Sequence, residues 1–597
     1  MPSLSLVGGV TLCAAALLIF ILPLFVPLKP TETVSVSYLA GFNNSVALFS
    51  AVGLSVLVFL LTFWFQDRGF AASDRPVEEW KLGFTFVAVV VAISAAILAT
   101  GGWLVAASHM RYLGDAGYII EQATVRHDTG AALYTQVEFA YGPLLLLPEI
   151  WLSSLLHCSI TTAYFITLVI ESSLGLLMLA FILNEVPMRG GLRKAALVLL
   201  ALGAITPHLG LNYTFFRFAS PLAALLLATR SSSWIRCALY LSIAEGVEVL
   251  ISPELAMAMA VGVVVFGLLR AWQRGWPWLV TAVVPPCALL MMLLTFGRPF
   301  LHMVASFSRG ALNLPVGPYP HILVLLFALV WLVPFGLGRF LTLDEALTPR
   351  LLALFAVSLA FMPAALGRCD PLHVFFNGTG VLVLSLFAVS PASQNLRRAW
   401  LAAVAVLVFW NQFVNQRPFE LRTASVLRQT LMPALPPAIS KGVAHAVASR
   451  RADLGGVLGA PPEPEFHLDE AALNRKVGDA AVATPLEVSP AVEDELRETH
   501  HARPGFYAFW VDVMNPAGEQ RSIAETNTYP WMLLPAVVLG DNPHTLANLA
   551  MFQGFKLPYR QRNSAPYDPG VAFRENLKQH WTAVEAMGPY VLYERTR

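Results

Sequence analysis

The chain contains 597 residues, of which 56% are hydrophobic and 13% are charged. An ordinary soluble domain carries about 25% charged residues, so this composition indicates a membrane protein. The formal net charge is +1, and no run of Lys or Arg is long enough to suggest a nucleic-acid partner. The five cysteines show neither a disulfide framework nor the spacing of a zinc site.

Apolar runs recur along the first two thirds of the chain, and about 20 such residues are enough to cross a bilayer. Thirteen candidate spans lie at about 5–27, 44–66, 82–107, 162–184, 194–206, 213–229, 236–251, 254–270, 277–297, 320–338, 350–366, 373–390 and 399–414. After residue 415, Pro and charged residues become frequent. We therefore expect a polytopic α-helical membrane protein with about 13 transmembrane helices and a C-terminal soluble domain.

The C-terminal region carries mixed signals for secondary structure. Apolar residues alternate in "YVLYER" near the end of the chain, which predicts a strand. The stretch "FRENLKQHWTAVEAM" before it is typical of a short helix. The predicted C-terminal domain is accordingly mixed α/β.

Basic residues in short loops predict the orientation, because Lys and Arg are retained on the cytoplasmic side. They occur at 67–81, 188–194, 230–236, 270–275, 338–350 and 395–398. Cytoplasmic placement of these loops puts the remaining polar loops and the C-terminal domain on the opposite, outer face. The segment 143–158 is apolar but would break the alternation, so we expect it to dip into the membrane or to lie at its surface.

The first large outer loop, at 108–142, concentrates acidic residues between two apolar segments. Asp115 follows the third predicted span closely, and Asp128 and Glu138 come later in the loop. A carboxylate near the membrane surface can serve as a general base or as a metal ligand. An isolated acid there is more commonly a solvated loop residue or a helix cap.

The stretches "YLGDAGY" and "ALYTQVEFAYGPLLLLP" resemble motifs of the GT-C superfamily of integral-membrane glycosyltransferases. The matching residues are Asp115, Tyr134 and the Tyr141-Gly142-Pro143 stretch. The resemblance implies an inverting hexosyl- or pentosyltransferase that moves a sugar from a polyprenyl-phosphate donor to a glycan, lipid or protein acceptor outside the cytoplasm. It implies Asp115 as the general base, with Asp128 and Glu138 as alternatives, and Tyr134 and Tyr141 as substrate-binding residues.

The same resemblance divides the chain into three regions. Residues 1–80 hold N-terminal transmembrane helices, 81–415 the GT-C-like catalytic module, and 416–597 the outer domain. The chain departs from the pattern in having two extra spans before the loop and no acid adjacent to Asp115. The metal is therefore unknown, with Mg²⁺ or Mn²⁺ as the divalent cations to consider.

Transfer from a lipid phosphate also needs cations near the leaving group. "ALGRCDPLHVFFNGTG" offers Arg368, Asp370 and His373, and "HLGLNYTFFRFASPL" offers His208, Asn212 and Arg217. Arginine suits phosphate because its guanidinium binds two oxygens at once. Structural ion pairs at helix ends are an equally common reading of such residues.

Three further features complete the candidate set. Arg309 lies in a long Pro- and Gly-rich outer loop and joins the phosphate-binding candidates. Glu245 and Glu248 could be counter-ions to Arg217 or metal ligands, whereas Glu254 begins a helix after Pro253 and reads as a cap.

Alternative functions remain open at the level of sequence. No Walker A sequence, Rossmann fingerprint or nucleophile elbow is present. A transporter or flippase of a lipid-linked glycan, a polymerase or ligase of such glycans, and a non-catalytic anchor for a glycan-binding domain are the alternatives. The absence of an internal repeat and the polar residues at one face favour the transferase. Short inner loops suggest the inner membrane of a bacterium.

Overall fold

The structure is a computed structural model that describes most of the membrane-embedded part of the chain. The described residues are 4–28, 35–65, 80–107, 115–135, 137, 139–205, 210–301, 313–342, 346–431, 470–484, 516–535, 562–563, 571–588 and 590–596.

Helices make up nearly all of the described structure before residue 431. They are α1 (Leu4–Ala16), α2 (Val36–Ala40), α3 (Asn44–Trp64), α4 (Phe84–Ala107), α5 (Asp115–Thr129), α6 (Leu147–Leu156), α7 (Ile160–Glu185), α8 (Gly190–Ala204), α9 (Phe215–Ala228), α10 (Trp234–Ile251), α11 (Pro253–Arg274), α12 (Leu279–Thr295), α13 (Pro320–Phe327), α14 (Val333–Phe340), α15 (Leu347–Ala360), α16 (Met362–Arg368), α17 (Pro371–Asn377), α18 (Thr379–Val389) and α19 (Gln394–Leu431). A 3-10 turn, Leu211–Tyr213, precedes α9, and a π turn, Ala328–Leu332, joins α13 to α14.

Seven helical segments in the described residues are long and apolar enough to cross a membrane. They are Asn44–Trp64, Phe84–Gly102, Ile160–Glu185, Pro253–Arg274, Trp276–Thr295, Pro320–Phe340 and Leu347–Arg368. The pair α17 and α18, bent by 61°, makes an eighth if it is one broken span. Large apolar side chains such as Phe49, Leu174 and Met291 are exposed on these helices, as expected of a surface that faces lipid. The protein is a multi-pass membrane protein.

Thirteen full spans are not confirmed by the described residues. The predicted spans 194–206 and 213–229 correspond to α8 and α9, which have 15 and 14 residues. At 1.5 Å per residue these helices are about 21–23 Å long, shorter than a hydrocarbon layer of about 30 Å. The segment 143–158 forms α6, whose 10 residues rise only about 15 Å. This length fits the expected dip or surface position and excludes a crossing by α6.

The core of the bundle lies between closely packed helices. Helix α7 packs along α9, and α11 packs along both α12 and α15. The backbones of α7 and α9 approach so closely at Gly175 that a Cβ atom there would lie 2.2 Å from the Phe216 nitrogen. A stack of phenylalanines, including Phe215, Phe218 and Phe376, fills the space between α9 and α17.

One end of the bundle gathers arginines from four of the predicted cytoplasmic loops. Glu185 at the end of α7 forms ion pairs with both Arg230 and Arg350. Arg189 donates a hydrogen bond from Nε to the Ser390 carbonyl at 3.2 Å, and Arg397 donates to the same carbonyl at 3.3 Å. The predicted cytoplasmic loops that carry these arginines therefore lie at the same end of the bundle, which we call the basic end.

The C-terminal region contains a small mixed sheet, as predicted. Its strands are β1 (Val482–Ala483), β2 (Trp531–Pro535), β3 (Trp581–Met587) and β4 (Tyr590–Arg595), and its helices are α20 (Glu470–Val477), α21 (Pro516–Thr526) and α22 (Val571–His580). The strand order is β1-β2-β4-β3, with β1 and β2 parallel and the other neighbours antiparallel. "YVLYER" is a strand, as predicted. The helix predicted for "FRENLKQHWTAVEAM" is correct only up to His580, because "WTAVEAM" forms the hairpin partner of β4.

A short C-terminal segment reaches back to the N-terminal helices. The Arg562 backbone N–H donates to the Leu39 carbonyl at 2.8 Å, and Asn563 Nδ2 donates to the Tyr38 carbonyl at 2.7 Å. Close by in the sequence, Asn44 Nδ2 donates to the carbonyls of Leu314 and Leu366. Residues 562–563 therefore lie at the end of the bundle where α16 ends, opposite the basic end.

Candidate functional site

The candidate site lies at the end of the bundle opposite the basic end and is built around α5. Asp115 is the first residue of this helix. The apolar face of α5, with Ile119 and Ala123, packs in one cluster with Leu211 of the 3-10 turn and with Tyr164 of α7. Helix α5 thus begins at Asp115 and rests on the turn that leads into α9.

Asp128 lies near the other end of the same helix. It is 62% exposed and its Oδ1 is 2.8 Å from Nδ1 of His127. It comes thirteen positions after Asp115, which corresponds to about 20 Å along a helix. The two residues therefore cannot belong to one reacting centre in this structure.

The Tyr141-Gly142-Pro143 stretch is pressed against the end of α10. The Gly142 N–H donates to the Ile251 carbonyl at 3.2 Å. A Cβ atom on Gly142 would lie 2.3 Å from the Leu250 carbonyl oxygen, so only glycine fits without movement of the loop. Tyr134 adopts a left-handed backbone conformation (φ 70°) and donates its hydroxyl to the Tyr141 carbonyl at 2.9 Å.

Arg217 is buried at the centre of a polar network. Its Nε donates to Ser252 Oγ at 2.9 Å, its Nη1 donates to the Asn212 carbonyl at 2.8 Å, and its Nη2 pairs with Glu254. The guanidinium also lies over the Tyr141 ring, 4.6 Å from its centroid. Arg217 thereby ties α9 to the junction of α10 and α11 and to the loop after α5.

The counter-ion of Arg217 is neither of the two acids that the sequence suggested. Neither Glu245 nor Glu248 pairs with it, and Glu248 instead accepts a hydrogen bond from Ser220 at 2.8 Å. Glu254 performs this function, because the start of α11 faces the first turn of α9. Burial, followed by the negative charge of Glu254, raises the pKa of Tyr134 and keeps its hydroxyl a hydrogen-bond donor.

A second polar group forms where α16 meets α17. Asp370 caps α17 by accepting from the His373 N–H at 2.9 Å, and its Oδ2 lies 2.7 Å from His373 Nδ1 and 3.5 Å from Arg368 Nε. The His373 ring in turn faces the Tyr213 hydroxyl, with Nε2 at 3.0 Å. Burial raises the pKa of Asp370, but the His373 ring and the Arg368 guanidinium outweigh burial, and the pKa is lowered overall.

The two groups are joined through the 3-10 turn. Asn212 accepts from Arg217 at its carbonyl and donates from Nδ2 to the Tyr141 hydroxyl at 2.7 Å, while its neighbour Tyr213 reaches His373. Arg217, Tyr141, Arg368, Asp370 and His373, which the sequence identified separately, therefore belong to one connected polar surface. We call it the outer polar surface, because the predicted topology puts this end outside the cytoplasm.

Several predicted residues lie outside what the structure describes. Glu138, His208 and Arg309 fall in undescribed positions, and the side chain of Asp115 is likewise not described. Within the described ranges, no group of three or more His, Cys, Asp or Glu side chains is placed to hold a metal ion. The choice of Mg²⁺ or Mn²⁺ remains an expectation.

Sequence reasoning missed two members of the surface. Tyr213 stands beside Asn212 in "HLGLNYTFF", and Ser252 precedes Pro253 at the helix start. Ser252 and Glu254 flank Pro253, which begins α11, and this pattern could have indicated that both side chains lie at one helix start. No local signal connects Tyr213 with His373, which is 160 residues away.

Comparison with known proteins finds remote structural likenesses. The sequence matches no protein-family profile and no curated protein. The archaeal oligosaccharyltransferase AglB from Archaeoglobus fulgidus, solved with an inhibitory peptide and a dolichol-phosphate, is 12% identical, with a TM-score of 0.41 over 83% of this chain and 71% of that one. The Archaeoglobus fulgidus oligosaccharyltransferase tethered by a disulfide to an acceptor peptide with the NVT sequon is 11% identical, with a TM-score of 0.37 over 92% of this chain and 74% of that one.

The function proposed below rests on the residues of this chain.

Proposed function

We propose that the protein is a glycosyltransferase that moves a sugar from a polyprenyl-phosphate donor to a glycan, lipid or protein acceptor at the outer polar surface, on the extracytoplasmic face. The observation that carries the proposal is the connected set of Arg217, Tyr213, Arg368, Asp370 and His373 at one end of a transmembrane bundle. Such a set combines cationic donors with a membrane boundary, where a lipid-borne phosphate and a water-soluble acceptor can meet.

The proposed reaction is an inverting displacement at the anomeric carbon. Asp115 takes the proton of the acceptor hydroxyl as that oxygen forms its bond to the sugar. The bond from the anomeric carbon to the phosphate oxygen breaks, and the lipid phosphate leaves with the electron pair. The position of Asp115, directly after the third predicted span and next to the membrane surface, supports it over Asp128, which lies about 20 Å further along α5.

The leaving phosphate would be bound at the junction of α16 and α17. Arg368 is 39% exposed at its side chain and offers a guanidinium to phosphate oxygens. Asp370 orients His373, and in the tautomer with a proton on Nδ1 the Nε2 atom accepts from the Tyr213 hydroxyl. Arg217 is engaged with Glu254, Ser252 and Asn212, so its role is to position the 3-10 turn and the Tyr141 loop.

One observation favours a second candidate, a flippase of lipid-linked glycans. The 61° bend between α17 and α18 resembles the discontinuous helices of transporters. Transporters place such breaks with their polar site near the membrane centre. Here Arg368 and Asp370 stand before α17 and His373 stands in its first turn, at the end of the bundle, which supports the transferase.

The deciding experiment measures sugar transfer by the purified, lipid-reconstituted protein from a panel of radiolabelled polyprenyl-phosphate sugars. We expect Asp115→Asn to lower the rate by at least about a hundredfold, the scale of a general base. Asp128→Asn, an exposed acid on the same helix, is the matched control and should retain activity. Transfer that survives Asp115→Asn would remove Asp115 from the mechanism.

Two further arms separate the alternatives. Addition of EDTA, followed by Mg²⁺ or Mn²⁺, tests whether transfer requires a divalent cation. Loss of activity with EDTA and its recovery with either metal would show that it does. A flipping assay on the same vesicles tests the transporter. Lipid-linked glycan that crosses the bilayer without any transfer would replace the transferase with the second candidate.

A further inference from the structure

A groove of about 650 Å³ lies outside the candidate site, between α13–α14 and the helices α18 and α19. Its wall is almost entirely apolar and aromatic, with Phe327, Trp331 and Phe335 on one side and Trp400 and Ala403 on the other. The rings of Trp331 and Phe335 stack with their centroids 5.2 Å apart, and the ring centroids of Phe327 and Trp400 are 5.8 Å apart. The groove therefore has a defined, packed lining.

The groove has a charged end and an apolar end. Among its lining residues Arg339 is the charged one, and it stands in the last turn of α14. The opposite end of the same span starts at Pro320, next to His321, whose Nε2 is 2.9 Å from the Cys369 carbonyl in the candidate site. Arg339 thus lies at the basic end of the bundle, about 27 Å along the helix from His321.

Two more guanidinium groups donate to carbonyls of residues 390 and 392, next to the lining residues of this end. Arg397 donates to the carbonyls of Ser390 and Ala392, and Ala392 lines the groove. Arg189 donates to the same Ser390 carbonyl. The described lining contains no carboxylate. An anionic group of a ligand at this end would therefore meet the guanidinium of Arg339.

The apolar lining of the groove runs along the helices away from its charged end. It extends from Leu323 to Phe340 along α13 and α14, about 26 Å, and from Leu396 to Ala403 along α19, about 11 Å. An acyl chain of a lipid whose phosphate lies at Arg339 can follow this lining into the hydrocarbon layer. The charged end lies at the basic end of the bundle, opposite the outer polar surface where the polyprenyl-phosphate donor of the proposed reaction would bind.

We propose that this groove is a binding site for an anionic glycerophospholipid, with its phosphate at Arg339 and Arg397 and an acyl chain between Trp331 and Trp400. Basic pockets between transmembrane helices are a known means of binding acidic lipids. The site is separate from the outer polar surface, and its existence does not depend on the transferase reaction.

The test is native mass spectrometry of the full chain in detergent, titrated with phosphatidylglycerol or phosphatidylcholine of identical acyl chains. We expect wild type to retain phosphatidylglycerol at least about fivefold more tightly, the effect of about one cationic contact at a membrane surface. Arg339→Gln should remove this preference and Arg339→Lys should keep it. Ala403→Trp, which fills the groove, should abolish retention of both lipids.

Arg274→Gln is the matched control, because Arg274 is an exposed arginine of α11 outside the groove. Thermal unfolding of each variant identifies any that fails to fold, and Arg339→Lys then decides the charge effect. Equal retention of the two lipids by wild type, or unchanged preference in Arg339→Gln, would overturn the proposal. Displacement of phosphatidylglycerol by an equal or lower concentration of polyprenyl phosphate would overturn the choice of occupant.

Discussion

Replacing Glu254 with Gln removes the carboxylate that pairs with the buried guanidinium of Arg217. Breaking a buried ion pair from one side typically costs 3–5 kcal/mol. Here the Arg217 side chain is 10% exposed and that of Glu254 is 33% exposed, so water reaches the carboxylate side. Gln can still accept a hydrogen bond, and Ser252 and the Asn212 carbonyl stay in place. We therefore expect a loss of about 2 kcal/mol.

The assay is the free energy of unfolding in mixed micelles titrated with a denaturing detergent. A double-mutant cycle with Arg217→Met isolates the pair, because Met fills similar space without a charge. We expect the double variant to be more stable than the sum of the single losses predicts, by at least about 1 kcal/mol. Asp128→Asn, on an exposed residue, should stay within about 0.5 kcal/mol of wild type. Additive losses, or a Glu254→Gln variant as stable as wild type, would refute the reasoning.

Two other substitutions test the geometry of the outer polar surface. Gly142→Ala places a methyl group 2.3 Å from the Leu250 carbonyl oxygen, so we expect a loss of about 1–3 kcal/mol in the same unfolding assay, and an unaffected variant would show that the loop moves freely. Asp370 has a lowered pKa in the folded protein, so its stabilising contribution is present above the unfolded pKa of about 4 and is lost as the pH falls below that value. Wild type should therefore lose stability in that acidic range and Asp370→Asn should lose less, whereas identical pH profiles would contradict the Asp370–His373 contact.

The membrane helices were the most predictable part of the fold. The span predicted at 44–66 is Asn44–Trp64, and the one predicted at 82–107 is Phe84–Ala107. Long apolar runs leave the chain no other way to satisfy its backbone hydrogen bonds in lipid. Short runs such as 194–206 are ambiguous, because a 15-residue helix can also be buried by its neighbours.

The pairing of residues across helices was less accessible. Arg217 and Glu254 are 37 positions apart, and nothing in the periodicity of either helix shows that their ends face each other. Proline at the start of α11 made Glu254 look like a simple cap. In the same way, "WTAVEAM" has the composition of a helix, yet pairing with β4 makes it a strand, since tertiary contacts override local propensity.

The hydrogen bonds from residues 562 and 563 to Leu39 and Tyr38 join two segments that the ribosome makes at very different times. Ribosomes add about 5–20 residues per second, so about half a minute to two minutes pass between synthesis of Leu39 and synthesis of its partner Arg562. Throughout that interval the carbonyls of Tyr38 and Leu39 in α2 lack their hydrogen-bond donors from residues 562 and 563. The N-terminal helices are therefore made well before residues 562 and 563, and the hydrogen bonds that cover α2 can form only after that interval.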